Sequence, residues 1–215
     1  LSADAPTAKF ITVVRDFVVA ANLDNGANAN KLIWSDINNE TNWTPSSTSQ
    51  ADYQYIADGG SITGIRGGEF GLIFLEKAII RMSYIGSPLF FQFDNISRGL
   101  GCAEGGSIAQ FNGISYFLSD DGFYMCDGHV VTPIGREKVD RYFFKNVNLN
   151  LLNTISAAAD PIRKLIIWNY PNTLGGRSLL IYSWALDEWS QGTTDVNYIN
   201  SATTSSISLE GLDAY

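Results

Sequence analysis

The chain has 215 residues and a net charge of −8, and charged residues make up only 17% of it. Its 45% hydrophobic residues exclude general disorder, and its low charge argues against long solvated helices and coiled coils. The acidic balance argues against general binding to nucleic-acid phosphates or anionic membranes, and no apolar run is long enough to span a bilayer. With 13% aromatic residues and 20 glycines, the composition is typical of an all-β protein.

The first structural unit is predicted over residues 9–45. Two apolar runs, at residues 17–21 and 32–35, have the length and composition of strands. Trp43 follows Leu32 by 11 positions (43 − 32 = 11). We interpret the two runs as the central strands of the unit and Trp43 as the mark of its outer strand.

The next two units repeat each other. The motif Gly-Gly-Ser-Ile at residues 59–62 recurs at residues 105–108, a shift of 46 positions (107 − 61 = 46). In each copy two apolar runs follow the motif and are joined by a tight turn, at residues 76–77 and 120–122. Asp-Gly in the second turn, between two apolar runs, is a strong signal for a β-hairpin.

A fourth unit has apolar runs at residues 165–168 and 179–182. Tandem four-stranded units of this length are typical of β-propellers. We therefore predict an all-β fold, a propeller built from tandem four-stranded blades with one short inserted helix. The predicted blades cover about residues 9–45, 58–94, 104–135 and 152–192, and a further blade starts at about 198–215. The alternative is a β-sandwich whose hairpins match by coincidence.

One helix is predicted from residue 136, between the third and fourth blades, with Val139, Tyr142 and Phe143 on one face. Its local charge is 4 − 2 = +2, from Arg136, Lys138, Arg141 and Lys145 against Glu137 and Asp140. A basic helix on an acidic chain can orient an acidic partner, so we predict these four cations as subunit or partner contacts. The alternative is a helix that only caps its own blades.

The long loops and insertions of the chain are predicted to lie on one face of the propeller. They comprise long loops at residues 22–31, 45–58 and 169–177 and the stretch after residue 135. Loops carried on a rigid scaffold are where recognition residues commonly lie, so Asn25, Asn28 and Asn30 are further candidate contacts. The alternative is that these loops are tolerated surface decoration.

No catalytic, cofactor-binding or metal site is predicted. Any Ser-His-Asp triad would need the single histidine, His129, which lies in a predicted hairpin turn. With only two cysteines, Cys102 and Cys126, a four-ligand zinc site would need carboxylates. We expect both cysteines to be free and buried, with a single disulfide as the alternative. Four carboxylates could be paired for glycoside chemistry: Glu69, Glu76, Asp120 and Asp121. Three of them lie in or beside predicted turns, where carboxylates are normally solvated, so we do not expect catalysis there.

A set of short motifs follows the predicted strand ends and turns. They lie at residues 13–19, 33–36, 42–45, 50–53, 91–94, 117–124 and 132–140. Among them are Ile33-Trp34-Ser35-Asp36 and Phe91-Gln92-Phe93-Asp94. As a set they resemble the propeller segment of tail nozzle, or packaged-DNA stabilisation, proteins of short-tailed bacteriophages. The resemblance covers about residues 8–145 and, more weakly, the last blade. Members of this family are usually longer than this chain, which leaves open which tube-forming segments belong with it.

The resemblance implies a non-enzymatic component of the phage tail. Such nozzles form rings, commonly hexameric, below the portal and adaptor proteins, and they carry fibres or spikes. They help to retain packaged DNA, which later passes through without specific recognition. The implied location is the virion, after assembly in the host cytoplasm, and no membrane insertion is expected.

The alternative function is a carbohydrate-binding or glycan-processing propeller that reads the host surface. Five tryptophans and ten tyrosines favour it, since aromatic faces stack on sugars. The tryptophans mostly fall at strand positions that a core would explain: Trp34, Trp43, Trp168, Trp184 and Trp189.

The end of the chain predicts further protein. Residues 206–209 are similar to the first strands of the two repeats, but no hairpin follows them. Because open sheet edges are normally closed in propellers, we expect either more protein before residue 1 or after residue 215, or a partner chain that completes the structure.

Overall fold

A computed structural model describes residues 5–202 of the chain. In that part sixteen strands form four antiparallel sheets of four strands each, which we call sheets I to IV in chain order. Within every sheet the strands are hydrogen-bonded in the order of the sequence. The prediction of an all-β chain of tandem four-stranded units is therefore confirmed, whereas the four sheets do not close on themselves.

The elements have the following bounds. Sheet I contains β1 Ala8–Val14, β2 Phe17–Leu23, β3 Asn28–Trp34 and β4 Asp52–Tyr55. Sheet II contains β5 Ile62–Arg66, β6 Gly71–Leu75, β7 Ala78–Gly86 and β8 Phe90–Arg98. Sheet III contains β9 Ala109–Phe111, β10 Ile114–Ser119, β11 Gly122–Cys126 and β12 Val131–Pro133. Sheet IV contains β13 Ser156–Asp160, β14 Leu165–Pro171, β15 Arg177–Ser183 and β16 Glu188–Thr194. Helix α1 spans Asp140–Asn146, and 3-10 turns lie at Asp24–Gly26, Gly105–Ser107 and Leu149–Thr154.

Consecutive sheets pack face to face. Sheets I and II share one apolar core, sheets II and III share a second and sheets III and IV share a third. Strand β6 is buried at all of its positions because its sheet is covered on both faces, whereas β1 alternates between exposed and covered residues. The long apolar runs of the central strands follow from this two-sided burial.

The core between sheets III and IV is built from aromatic rings. Phe123 lies at its centre, with ring centroids 4.9 Å from Phe143, 4.8 Å from Trp168 and 5.3 Å from Trp189. The ring of Phe143 comes from α1, so the helix covers the core of its own chain. Tilted and edge-to-face contacts of this kind add to the free energy gained from apolar burial.

The predicted outer strand at Trp43 is wrong. The fourth strand of sheet I is Asp52–Tyr55, and Trp43 lies in the loop before it. Asp36 holds this loop, because its Oδ1 accepts hydrogen bonds from the backbone N–H groups of Ile37 (3.0 Å) and Gln50 (2.8 Å). The indole of Trp43 packs on Ala20 and donates to the carbonyl of Glu40 (2.8 Å). Sheet I therefore extends to residue 55 rather than 45.

The predicted placement of the loops is also corrected. Most of residues 22–31 belongs to β2 and β3, and only the 3-10 turn Asp24–Gly26 and Ala27 separate the strands. The long loop of sheet I, at residues 35–51, joins the third and fourth strands. In an antiparallel sheet that connection lies at the opposite end from the loop between the second and third strands. The extra length of the chain is thus not confined to one end of the sheets.

The first strand of sheet III and the helix both begin later than predicted. Residues Gly105–Ser107 form a 3-10 turn, so the strand starts at Ala109. Glu137 has a φ of 61°, outside the helical region, and α1 starts at Asp140 instead of residue 136. The predicted strand at residues 206–209 lies outside the described residues.

The core between sheets III and IV gives a stability prediction. Leu180 is 1% exposed in β15, whereas Leu174 is 93% exposed in the preceding turn. Leu180→Ala should lower the free energy of unfolding by about 2–5 kcal/mol, because it leaves a cavity in a packed core. Leu174→Ala, the matched control, should change it by less than about 0.5 kcal/mol. Urea denaturation measures both, and equal effects would contradict the packing described.

Candidate functional site

A cleft of about 660 Å³ opens near the first strands of sheets I and II and the chain that leads into sheet III. Its charged and polar lining comprises Lys9, Asn22, Asn25, Ser61, Thr63, Glu76 and Glu104. These side chains come from three different sheets or their connections, so the cleft exists only when the sheets are packed together. Concave sites with convergent polar groups are where small ligands usually bind.

Asn22 forms the floor of this cleft and is 6% exposed. It lies in the left-handed region with a φ of 57°, where the pairing of β2 and β3 shifts register. Its side-chain amide donates to the carbonyl of Ile62 (2.9 Å), which ties sheet I to sheet II. Its Oδ1 has no hydrogen-bond partner among the described residues. This unpaired oxygen costs free energy in the folded state unless another group satisfies it.

Two carboxylates and one ammonium group give the cleft its charge. Burial raises the pKa of Glu104, and the nearby Lys9 opposes that shift. Glu76 lines the cleft from the turn between β6 and β7. The cleft therefore offers hydrogen-bond acceptors and one cation, a combination suited to a ligand rich in hydroxyl or amino groups.

The structure brings one of the three predicted asparagines to the cleft. Asn25 lines it from the 3-10 turn, with a φ of 55°. Asn28 donates instead to the carboxylate of Asp24, and Asn30 donates to the carbonyl of Ile56 (2.8 Å). Asn28 and Asn30 thus hold the beginning of β3.

Sequence reasoning missed Asn22 and Glu104 as cleft residues. A signal for Glu104 was present, since an acidic residue precedes the Gly-Gly-Ser-Ile motif in both repeats: Asp58 in the first and Glu104 in the second. Asn22 stands at the end of an apolar run with no comparable pattern around it.

The predicted basic contacts lie around α1 and have different surroundings. Lys138 pairs with Asp187 of the same chain (2.6 Å), and Arg136 lies near Tyr124 and Asp140. Arg141 and Lys145 are exposed and make no ion pair among the described residues. Only the latter two are therefore fully available to a partner.

The carboxylate of Asp140 holds the start of α1 against sheet III. Its Oδ1 accepts a hydrogen bond from the backbone N–H of Phe123 (3.1 Å), and burial raises its pKa. Gly122 and Gly135 lie against this carboxylate, where an added Cβ would collide with it. The carboxylate thus has a structural role at the junction of sheet III and the helix.

The other carboxylates of the turns have partners on the same chain. Glu69 lies 3.6 Å from Arg15, Asp120 pairs with Lys77, and Asp121 accepts a hydrogen bond from the hydroxyl of Tyr124 (2.9 Å). Each makes a separate surface contact of the kind that contributes little to stability.

His129 lies in the hairpin turn between β11 and β12, as predicted. Its Nε2 is 2.9 Å from the guanidinium of Arg81, and its backbone N–H donates to Asp127 (2.8 Å). Within residues 5–202 no group of three or more His, Cys, Asp or Glu side chains is arranged to hold a metal ion. Cys102 and Cys126 are free and buried, and burial raises the pKa of the Cys102 thiol to about 11.

The tryptophans lie in or against the cores. Trp34, Trp43 and Trp168 are buried, and Trp189 stacks on Trp168 with ring centroids 5.5 Å apart. Trp184 stacks with Phe111 (5.3 Å) and Tyr116 (6.1 Å). Packing inside the chain therefore accounts for these rings.

No protein-family model matches the chain, and no curated protein matches it. The crystal structure of an exported protein from Bacteroides fragilis aligns with 8% identity, covering 90% of this chain and 73% of that chain at a TM-score of 0.30. A likeness at this level carries no argument about function. No helix in residues 5–202 is long and apolar enough to cross a membrane.

The burial of Glu104 predicts a pH dependence. A carboxyl group with a raised pKa in the folded state binds its proton more tightly there than in the unfolded chain. Its ionisation therefore lowers the free energy of unfolding as the pH rises from its ordinary pKa through the raised one. Glu104→Gln should be more stable than the wild type at pH 7, and the gain should shrink as the pH falls to about 4. Urea denaturation at both pH values measures this, with the exposed Glu188→Gln as control. A gain that is independent of pH would contradict the burial argument.

Proposed function

We propose that the chain is a structural subunit of a bacteriophage tail, of the nozzle type, and that its four sheets are blades of a β-propeller. The observation that carries the proposal is the serial packing of four-stranded sheets, in which one face of the first sheet and one face of the last have no neighbouring sheet within residues 5–202. In an assembly, other protein chains can pack on these two outer faces. The motifs that resemble tail nozzle proteins support the same function.

In this proposal copies of the chain form a ring, in the hexameric arrangement common in nozzles, below the portal and adaptor proteins. The ring lines part of the DNA exit conduit, helps to retain packaged DNA and mounts fibre or spike proteins. The net charge of −8 supports a conduit role, because electrostatic repulsion lets DNA pass without adhering. The site of action is the virion, and assembly takes place in the host cytoplasm.

The decisive test is the location of the chain in phage particles. A gold-labelled antibody against it should mark the tail below the portal in electron micrographs of purified particles. Peptides of the chain should be found in the same particles by mass spectrometry. Their absence from particles that remain infectious would overturn the proposal.

The exposed cations of α1 predict a contact between subunits. Replacing both Arg141 and Lys145 with Ala should slow ring assembly severalfold at low salt, because steering by charge is lost, and the difference should shrink at high salt. Mass photometry over time measures assembly. Lys138→Ala is the matched control, since Lys138 pairs with Asp187 within its own chain. Equal assembly of the double variant and the wild type at all salt concentrations would exclude this contact.

A second candidate function is carbohydrate binding. The observation that favours it is the cleft near the first strands, with its carboxylates, amides and hydroxyl group. Binding of a host glycan by the isolated chain, weakened by Asn25→Ala, would favour this candidate over a purely structural role.

A further inference from the structure

The two faces of every inner sheet have fixed partners. We call the face that packs on the next sheet in the chain the leading face, and the face that packs on the preceding sheet the trailing face. In sheet II, Leu72 and Phe74 belong to the leading face, and Ile73 and Leu75 belong to the trailing face. Sheet III follows the same rule at the equivalent positions. All three internal interfaces therefore join a leading face to a trailing face.

In the described part of the chain no sheet packs on the trailing face of sheet I. Ile11 is 71% exposed and Val13 is 56% exposed on β1, and the register places them opposite Ala20 and Val18 on β2. Trp43 covers Ala20 from the loop, so the open part of the face centres on β1. Large aliphatic side chains at such exposure are unfavourable in water, and a contiguous group of them commonly marks an interaction surface.

Sheet IV has the complementary leading face. Its trailing face is covered by sheet III and α1, which pack on residues such as Trp168 and Leu180. On its leading face the aliphatic residues of β14 and β15 remain partly exposed, whereas Asn169 is buried, and the register pairs Ile167 with Ile181. Leu165 and Leu179 belong to the same row by alternation along β14 and β15. The leading face of sheet IV is thus apolar around this pair, as the leading faces of sheets II and III are, and the hydrogen-bonded pair of Arg177 and Asn169 lies at its end.

The chain after sheet IV takes the same course as an internal connection. The carbonyl of Val196 accepts a hydrogen bond from the side chain of Asn169 (3.0 Å), and the N–H of Ile199 donates to the hydroxyl of Ser156 on β13 (3.1 Å). The connection from sheet II to sheet III likewise runs along its sheet, where the N–H of Cys102 donates to the carbonyl of Leu75 (2.9 Å). The described chain after sheet IV therefore leaves its sheet as the connection between sheets II and III does, and it covers the leading face only around Asn169 and Ser156.

We propose that the trailing face of sheet I in one copy of the chain packs on the leading face of sheet IV in a second copy. This contact repeats the geometry of the three internal interfaces and buries Ile11 and Val13 against the aliphatic row of Ile167 and Ile181. The two surfaces differ, so the association is head to tail and forms rings where the rotation closes. The inference concerns self-assembly alone and does not depend on a role in the virion.

The test compares three isoleucine-to-lysine variants of the 215-residue chain. Ile11→Lys and Ile181→Lys each place a charge in the contact, and each should weaken self-association at least tenfold in sedimentation velocity runs over a concentration series. Ile162→Lys is the matched control, since Ile162 is 92% exposed in the turn before β14 and should leave association unchanged. Circular-dichroism melting curves check folding, and Ile181→Thr replaces Ile181→Lys if the latter unfolds.

Mixing the variants distinguishes a head-to-tail contact from a symmetric one. Ile11→Lys keeps an intact sheet IV face and Ile181→Lys keeps an intact sheet I face, so an equimolar mixture should form a dimer that neither variant forms alone. A wild-type chain that stays monomeric at all concentrations would overturn the proposal. So would a mixture that remains monomeric, or an equal loss of association in Ile162→Lys.

Discussion

The turn at Gly105–Ser107 joins three of the four sheets, and the packing of the chain on both sides depends on it. Gly105 lies against the carbonyl of Thr63 in sheet II, and Gly106 lies against the carbonyl of Ile155 at the start of sheet IV. A Cβ at either position would collide with a backbone oxygen, so this close approach requires glycine. The buried hydroxyl of Ser107 accepts a hydrogen bond from the N–H of Leu118 (3.1 Å) in sheet III. Its carbonyl accepts one from the indole of Trp168 (2.8 Å) in sheet IV.

Because the sheets approach each other closely at their first strands, each inner sheet is covered on both faces. A sheet covered on both faces needs apolar residues at successive positions, and it has little room for charge. The composition of the chain follows from this requirement, because only the turns and the outermost strands can carry solvated side chains. The same requirement makes the first and last sheets exceptional. Each has one covered face and one face whose aliphatic residues have no neighbouring sheet among the described residues.

The cleft forms where the same sheets approach each other. Glu104 immediately precedes the Gly-Gly pair, so the turn that locks the sheets also places this carboxylate at the cleft. On the other wall, Asn22 reaches from sheet I to the carbonyl of Ile62 in sheet II, and its left-handed backbone lets it do so. The cleft is thus held by contacts that also hold the sheets together.

The repeated four-stranded unit can be predicted from the sequence, because the sequence signals of its strands and turns are local. The apolar runs, the Asp-Gly turn at Gly122 and the motif shared by residues 59–62 and 105–108 predict paired strands without knowledge of the rest of the chain. Local signals failed where a distant group decides the conformation. Hydrogen bonds to Asp36 fix the loop that contains Trp43. The carboxylate of Asp140 holds the start of a helix that begins one residue after its predicted apolar stripe begins.

The packing of the sheets fixes which residues form the cleft and which faces have no neighbouring sheet among the described residues. Asn22, Thr63 and Glu104 are far apart in the sequence and belong to different sheets or connections, so no spacing rule brings them together. The sequence does not distinguish the exposed Ile11 from the buried Leu180, since both are aliphatic residues within predicted blades. Their difference comes from the position of each sheet in the series, and that position is a property of the packed chain.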